Sequence, residues 1–396
     1  MPRPAFEVAD IVRSLGASLR AGLSRDQHRA VSAIEACRTA VLGGHVSACQ
    51  DCAHIDVACK SCRNRHSPKC RAAAAYDWLE ARKRDLLPVA YSQVVFTLPA
   101  ALADIAFTNK AAVYDALFKA TAETLMIIGA DPKHLGARLG ATLVLHTWGS
   151  AMTHHPHIHG IVPDGGISAD GTRWIDCRPR FFLPVRVLSS LFRRLMCERL
   201  AALHAVGKLR FFGCNEGLAD EGAFAALIRS ERQRDWVVYA KAPFAGPEQV
   251  LAYLARFSHR VAISNSRITA FNGERVTFKV KDCRKAGADR YGSMTLSAPE
   301  FMRRFLSHVL PTGFHRILYV GFLANAQRAR QIGRARKLLA DRMTPPLPAP
   351  EPAEPIAETV PLPAPCPCCG CRMILSQIIE RGSVVHGPVV KRPDTS

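Results

Sequence analysis

The sequence of 396 residues lacks the long apolar segments that membrane proteins need. It contains no apolar run of about 18 residues, which excludes a typical membrane-spanning helix. It also lacks an amphipathic stretch that would anchor it at a bilayer surface, and its first residues lack the apolar region of a signal peptide. We therefore expect an intracellular protein in a reducing compartment, with no membrane partner.

Acidic residues are scarce relative to basic ones. The chain has 33 Asp and Glu against 53 Lys and Arg, and its net charge is +20. The basic residues recur along the whole length, which favours a polyanionic partner over a small acidic substrate. No clear set of acidic metal ligands is present either, which disfavours a metallohydrolase acting on a small substrate. Nucleic acid is the partner that this charge predicts.

The cysteines do not form the evenly spread pattern of a disulfide framework. Ten of the 14 fall into two clusters near the ends of the chain, which is typical of metal-binding knuckles. The isolated ones are interpreted as small buried residues: Cys177, Cys197, Cys214 and Cys283.

The N-terminal cluster predicts a zinc site whose second half the spacing leaves open. Cys49 and Cys52 form a Cys-x-x-Cys pair, and tetrahedral zinc needs two more ligands from another piece of chain. Cys70 is one candidate, but Ser67 stands where its paired cysteine would be. The residues that could replace that cysteine are Cys59, Cys62 and His66. A second zinc ion, bound by Cys37, His45, Cys62 and His66, is the alternative.

A segment this short cannot bury enough apolar surface alone, so zinc would stabilise it. Its basic side chains would then be available to DNA phosphates: Arg63, Arg65, Lys69 and Arg71. The C-terminal cluster contains a further half-site, Cys366 and Cys369, whose partners must come from elsewhere in the chain. A proline-rich stretch precedes it and predicts a semi-rigid linker.

Three strands are predicted in the region that contains the histidine pair. Residues 91–98 and 141–148 have the β-branched and aromatic content of strands, and a third strand carries His157 and His159. About six residues join the second and third strands, which favours an antiparallel hairpin at the centre of a sheet. Positions i and i+2 of a strand share a face, so the two histidines are a candidate metal site.

A helix beginning near Pro247 carries Tyr253. A metal next to a tyrosine could act on DNA, because the ion would stabilise charge on a phosphodiester while the phenol attacks phosphorus. Taken alone, a His-x-His strand more often faces solvent, and a lone tyrosine is more often a half-buried helix residue. The combination with the basic charge and the cysteine clusters favours the catalytic interpretation.

An ordered series of motifs resembles the rolling-circle insertion-sequence transposases of the IS-ninety-one family, which are HUH enzymes named for a His-hydrophobic-His motif. The motifs are Leu145-His146-Thr147-Trp148-Gly149, His155-Pro156-His157-Ile158-His159, Tyr239-x-Lys241-x-Pro243-Phe244, and Tyr253-Leu254-Ala255-Arg256-Phe257-x-His259-Arg260. Residues from Cys37 to Cys70 resemble that family's zinc-binding domain, and residues 301–313 resemble its downstream segment. The resemblance covers roughly residues 30–342 and the Cys366 knuckle.

The resemblance implies a DNA transposase of a bacterial-type cytoplasm, associated with the nucleoid. His157 and His159 would bind Mg²⁺ or Mn²⁺, and His146 is the first candidate for a third ligand. Tyr253 would attack single-stranded transposon-end DNA and leave a 5′-phosphotyrosine link with a free 3′-OH. Basic residues near these motifs are expected to contact the DNA: Lys241, Arg256 and Arg260.

The chain departs from the family's pattern at three positions. Phe257 stands where many members carry a second tyrosine, which leaves a single-tyrosine mechanism. Ser67 replaces a knuckle cysteine. Ser150 replaces an expected glutamine near the metal.

The predicted fold is α+β, an HUH endonuclease-like antiparallel sheet with flanking helices, preceded by a small cysteine-rich zinc-binding domain. The expected domains are 1–88 (N-terminal helices and zinc domain), 89–343 (catalytic domain with a basic end), 344–365 (proline-rich linker) and 366–396 (cysteine-rich knuckle and tail). The rival functions are a non-catalytic zinc-dependent DNA-binding protein, a degenerate transposase, and a related replication initiator or relaxase.

Overall fold

The computed structural model describes residues 4–179, 181–244, 261–282, 287–341 and 365–382. The chain divides into two compact units, Met1–Arg71 with Pro346–Ser396, and Ala72–Pro345. We call them the cysteine-rich unit and the sheet unit. This division differs from the predicted boundary at residue 88, and it joins the C-terminal knuckle, expected as a separate segment, to the N-terminal domain.

Helices and strands are interspersed along the chain. The helices are α1 (Val8–Leu15), α2 (Arg25–Ala36), α3 (Arg71–Lys83), α4 (Ala100–Thr108), α5 (Lys110–Ala130), α6 (Val185–Ala205), α7 (Glu221–Gln233), α8 (Ala298–Ser307) and α9 (Arg328–Ala340). The strands are β1 (Gly44–Cys49), β2 (Ile55–Cys59), β3 (Tyr91–Thr97), β4 (Ala137–Arg138), β5 (Gly140–Trp148), β6 (His154–Pro163), β7 (Gly165–Ser168), β8 (Trp174–Asp176), β9 (Val238–Phe244), β10 (Ile268–Phe271), β11 (Arg275–Lys281), β12 (Tyr291–Ser297), β13 (Ile317–Gly321) and β14 (Met373–Ile379). Among the described residues, each helix is too short or too polar to cross a bilayer.

The cysteine-rich unit combines a helix pair with a small sheet. Ser24 caps α2 by accepting from the Gln27 backbone N–H, and the Gln27 side chain accepts from the Ser24 N–H, which is a capping box. The pair buries apolar residues that recur at helical spacing: Val8, Ile11 and Val12 of α1, with Ala30, Val31 and Ile34 of α2. The sheet has the strand order β14-β1-β2, so the C-terminal strand pairs with the first.

The sheet unit contains a five-stranded antiparallel sheet with the strand order β13-β5-β6-β3-β9. The two inner strands predicted as a hairpin, β5 and β6, are adjacent and antiparallel, which confirms that prediction. Alternate residues of each strand point to one face. That face joins helices α4 to α7 in the main core, through residues such as Phe96, Leu143, Leu145, Ile158 and Val238. The intervening residues of the strands lie on the opposite face, which carries the histidines.

Two smaller sheets complete this unit. Strands β10 and β11 form a hairpin at Asn272-Gly273, where Gly273 has a φ of 94° that favours glycine, and β12 pairs with the other edge of β11. Phe278 of β11 packs edge-on against Phe301 of α8. Strands β4, β7 and β8 form the other sheet, and Trp174 of β8 packs with Phe322 in a separate apolar cluster that includes Ile332 of α9. The predicted α+β architecture is confirmed.

His308 fixes the turn that connects β5 to β6. Its Nε2–H donates to the Met152 carbonyl at 3.0 Å, and its Nδ1 accepts from the Thr147 hydroxyl at 3.1 Å. Met152 is fully buried and has a φ of 56°, a conformation that costs a non-glycine residue about 1–2 kcal/mol. The contacts of His308 therefore hold a strained turn between the two histidine-bearing strands.

Burial disfavours the charged ring of His308 and lowers its pKa to about 3. In the unfolded chain this pKa returns to about 6.5. As the pH falls below about 6.5, His308 is protonated in the unfolded state but stays neutral in the folded state, so the free energy of unfolding decreases. We predict that a His308→Asn variant is less stable than the wild type at neutral pH. As the pH is lowered from about 7.5 to about 5.5, its free energy of unfolding should fall less steeply than that of the wild type. The two slopes should differ by up to about 1.4 kcal/mol per pH unit.

Urea titrations followed by tryptophan fluorescence measure this effect, because all four tryptophans lie in the sheet unit. Equal slopes for the wild type and the variant would show that His308 does not titrate on unfolding.

Candidate functional site

Three histidines meet on one face of the central hairpin because of the strand register. His146 of β5 lies directly opposite His157 of β6, and His159 follows two positions later on the same face. Directly opposite residues of an antiparallel pair have Cβ atoms about 5 Å apart. The candidate ligand nitrogens of the three rings all lie within 4.8 Å of one another. The structure thus brings together the two predicted histidines and the proposed third one.

The histidine cluster is partly shielded from solvent. His146 and His159 are buried, while His157 is half-buried. The indole of Trp148 stacks on the His146 ring, with the two ring centroids 4.8 Å apart. The Arg316 guanidinium lies over the Trp148 ring, 5.0 Å from its centroid. Stacking fixes the orientation of the His146 imidazole. The ring would therefore lose less conformational freedom on binding a metal ion.

Hydrogen bonding selects the nitrogen that each ring presents. His157 Nδ1–H donates to the carbonyl of His155 at 2.7 Å, so its Nε2 is the nitrogen available as a ligand. Burial lowers the pKa of His157 to about 4, so the ring is neutral at pH 7. A neutral imidazole is the form that binds metal ions.

Gln93 of β3 contacts the third ring. Its Nε2 lies 3.1 Å from His159 Nδ1. In this orientation the amide N–H donates to Nδ1, and the proton of the neutral ring is on Nε2. Rotating the amide by half a turn would let its carbonyl accept from Nδ1–H and would leave Nε2 as the metal ligand. Sequence reasoning missed Gln93, since a glutamine on a strand has no distinctive spacing.

The arrangement fits a divalent ion. Nitrogens bound about 2 Å from one ion lie about 3 Å apart, so the three rings need only small movements. The candidate donors are three imidazole nitrogens, which suit transition ions better than magnesium, an ion that prefers oxygen.

The sheet face beside the histidines carries two further predicted positions. Tyr239 of β9 lies in the same row as His159, with Val95 of β3 between them, and is 55% exposed. Lys241 is also exposed and follows two positions later on the same face. Tyr253, Arg256 and Arg260 lie outside the described residues, as does Phe257.

Ser150 has a different role from the polar contact expected near the metal. Its hydroxyl accepts from the backbone N–H of Lys281 in β11 at 2.5 Å, and its carbonyl accepts from the Arg267 guanidinium. Ser150 therefore joins the β5–β6 turn to the neighbouring three-stranded sheet.

The thiols of the cysteine-rich unit form two groups. Cys49 and Cys52 lie with Cys366 and Cys369, and a second group consists of Cys37, Cys62 and Cys70; in each group the sulfurs lie within 4.8 Å of one another. This grouping differs from the expectation that Cys62 or Cys70 would complete the Cys49 site.

Other predicted zinc ligands lie apart from these groups among the described residues. His45 is exposed on β1, and His66 Nε2 accepts from Arg65 Nε at 3.3 Å. Ser67 is buried beside Cys37, with its hydroxyl 3.9 Å from the Cys37 sulfur. It occupies the place beside the three-thiol group where a fourth thiol would lie.

The predicted DNA contacts of this unit differ in exposure. Arg63 is exposed, and its φ of 50° places it at a tight turn. Arg65 is half-buried, and Lys69 forms an ion pair with Glu7. Arg63 is thus the most accessible of the three to a phosphate.

Comparison with known proteins identifies the family. Residues 140–330 match the family described as "Putative transposase", and residues 11–98 match the "Transposase zinc-binding domain". "Putative transposase y4qJ" of Sinorhizobium fredii is 53% identical over 357 residues, 89% of each chain. The chain belongs to the IS-ninety-one family of transposases. The transposase for insertion sequence element IS801 of Pseudomonas savastanoi pv. phaseolicola is 28% identical over 98% of this chain and 92% of that protein.

Among solved structures, the conjugative relaxase TrwC in complex with OriT DNA aligns with 62% of this transposase and 71% of that chain, at 15% identity. The TM-score of 0.24 is too low to establish a shared fold. The family assignment therefore rests on sequence, and it confirms the resemblance on which the motifs were interpreted. The roles of individual residues remain predictions.

We predict that Gln93→Leu weakens Mn²⁺ binding about tenfold or more, because His159 loses the partner that orients its ring. Gln93→Glu should retain or increase the affinity, since a carboxylate accepts from Nδ1–H. Isothermal titration of each variant with Mn²⁺ measures the difference. If Gln93→Leu binds with the affinity of the wild type, Gln93 does not position a ligand.

Proposed function

We propose that this transposase nicks single-stranded DNA at the ends of its element and transfers the strand in rolling-circle transposition, through a 5′-phosphotyrosine intermediate. The observation that carries the proposal is the cluster of His146, His157 and His159 on the sheet face opposite to the one that packs into the main core. A purely DNA-binding protein has no use for three mutually oriented imidazoles.

The proposed cofactor is a divalent ion, Mn²⁺ in preference to Mg²⁺ because all three donors are nitrogen. When bound, it would neutralise the negative charge that develops on the scissile phosphate. The residues of this chain hold its site: the β5–β6 register sets the spacing, Trp148 stacks on His146, and the His155 carbonyl orients His157. Zinc is proposed for the cysteine-rich unit.

The proposed nucleophile is Tyr253. What supports it is the family motif and the position of the tyrosine nine residues beyond Phe244, where β9 ends at the edge of the same sheet. The phenol oxygen forms a bond to phosphorus while the bond from phosphorus to the 3′ oxygen breaks. The phenol proton is transferred to solvent, and the departing 3′ oxygen takes up a proton to become a free 3′-OH.

The product stores the energy of the broken phosphodiester in the phosphotyrosine bond, since one ester has replaced another. A 3′-OH of a second strand can then attack phosphorus and release the tyrosine. Phe257 leaves one tyrosine in this motif, so each cleavage must be resolved by a DNA hydroxyl before the next.

The proposed path of the DNA follows the histidine face across β3 to β9. Tyr239 offers an exposed ring on which a base can stack, and base stacking on an aromatic side chain contributes about 1–3 kcal/mol. Lys241, two positions farther along β9, offers a charge for the backbone phosphate. Exposed Arg63 is the proposed phosphate contact in the cysteine-rich unit.

We predict that the wild type with Mn²⁺ and a single-stranded oligonucleotide of its element's end forms a covalent adduct that resists denaturant. Tyr253→Phe should abolish the adduct, because the attacking oxygen is removed. Replacing His157 by Ala should reduce its rate by about 100-fold or more, since a missing ligand weakens charge stabilisation of the transition state. Denaturing gel electrophoresis of labelled oligonucleotide measures the adduct.

The matched control is Tyr291→Phe, which removes a hydroxyl from another tyrosine, 66% exposed on β12. This variant should form the adduct at the wild-type rate. An adduct in Tyr253→Phe equal to that of the wild type would show that the nucleophile is misassigned. Specific binding of the end DNA without any adduct would favour the non-catalytic alternative.

A further inference from the structure

The two ends of the chain contribute to one cluster of thiols in the cysteine-rich unit. Cys49 and Cys52 flank the turn that leaves β1, whereas Cys366 and Cys369 precede β14. The sulfur of Cys369 lies 3.4 Å from that of Cys49 and 3.5 Å from that of Cys52, and the Cys52 and Cys366 sulfurs are also 3.5 Å apart. Cys49 and Cys369 are 320 positions apart in the sequence.

The sulfur distances fit a metal ion better than disulfides. Two bonded sulfurs lie about 2.05 Å apart, much closer than any pair in this group. Four thiolates bound about 2.3 Å from one zinc ion at tetrahedral angles lie about 3.8 Å apart. The sulfur spacing of 3.4–3.5 Å, with all four sulfurs within 4.8 Å, is close to this arrangement.

The backbone around the thiols forms two turns of the kind that bind zinc. In the first, the Cys49 N–H donates to the His54 carbonyl at 2.8 Å. In the second, Cys366 and Cys371 close the loop through an N–H···O bond of 2.8 Å, and the Gly370 N–H donates to the Cys366 carbonyl at 2.8 Å. The antiparallel pairing of β1 and β14 ends with Cys49 opposite Met373, which brings the turns together.

The burial of apolar side chains contributes little to holding β14 in the three-stranded sheet. Only its first and last residues are buried, while Leu375 and Ile378 are more than half exposed. The apolar cluster at the thiols consists of Cys49, Cys366 and Met373, with Cys371 packed against them. A three-stranded sheet with so small a core needs another source of stability.

We propose that Cys49, Cys52, Cys366 and Cys369 bind one structural zinc ion, which fastens the C-terminal segment to the N-terminal domain. Four thiolates fill a tetrahedral shell and leave no position for a substrate, so the site is structural. The zinc-binding domain of this transposase is then discontinuous. The region 11–98 that matches the zinc-binding family contains half of this site, and residues beyond 365 supply the other half.

The neighbouring thiols provide a matched control. Cys368 and Cys371 lie in the same short stretch but outside the four-sulfur group. Cys368 is the rival ligand, because its sulfur lies 3.4 Å from His54 Nδ1. A Cys368→Ser/Cys371→Ser variant removes the same number of thiols from the same loop as Cys366→Ser/Cys369→Ser.

We predict that Cys366→Ser/Cys369→Ser contains one zinc ion fewer per chain than the wild type, by elemental analysis of purified full-length protein, and that Cys368→Ser/Cys371→Ser retains the wild-type content. Tryptophan fluorescence, which reports only on the sheet unit, checks that both variants remain folded there. Equal zinc contents in the two variants, whether reduced or unchanged, would overturn the proposal.

A second measurement tests whether this zinc site attaches the C-terminal segment to the N-terminal domain. A specific protease site is inserted between residues 350 and 360 of each full-length protein, and the cleaved protein is analysed by gel filtration. We expect the C-terminal fragment to co-elute with the rest of the chain in the wild type and in Cys368→Ser/Cys371→Ser, and to separate in Cys366→Ser/Cys369→Ser. Separation in the wild type, or co-elution in Cys366→Ser/Cys369→Ser, would contradict the role of this zinc. Neither measurement depends on DNA cleavage, so its outcome is independent of the proposed cleavage and strand-transfer chemistry.

Discussion

The register between β5 and β6 is the constraint on which the candidate site depends. Pairing His146 with His157 places three imidazoles on one face, and a slip of one residue would turn the His157 and His159 rings into the core. The opposite face prevents such a slip, because Leu145 and Ile158 are directly paired and fully packed there. His308 adds a second restraint by holding Thr147 and Met152 at the turn. The packing of the core and the spacing of the candidate metal ligands therefore depend on the same register of one hairpin.

The two kinds of proposed metal site in this transposase differ in the number of coordination positions that they would leave open to other ligands. The histidine cluster supplies three candidate donors, so an ion there would keep further coordination positions for phosphate oxygens. The Cys49 group supplies four donors and would leave none. Ser67 makes the Cys37 group an intermediate case, with three thiols and a buried hydroxyl. The chemistry of the donors thereby separates a site suited to catalysis from sites suited to holding a small domain together.

Much of the fold was predictable because its signals are local. The β-branched and aromatic content of the strands, the short connection and the His-x-His spacing identified the central hairpin, and the motif order identified the family. The long-range partners were not predictable. Gln93 lies 66 positions from His159 in the sequence, and Ser150 lies 131 positions from Lys281. Cys366 lies 314 positions from Cys52, whose sulfur it contacts. No periodicity connects such pairs, so the C-terminal knuckle was expected as a separate segment and the ligands of Cys49 were left open.

The proposed chemistry requires that His146, His157 and His159 bind one divalent ion on the face of this sheet. Pulsed electron paramagnetic resonance of the Mn²⁺-loaded protein, with histidine labelled by ¹⁵N, tests this requirement most directly. We expect couplings from three imidazole nitrogens in the wild type and from two in His146→Ala. Couplings unchanged by that substitution, or no imidazole coupling in the wild type, would contradict it.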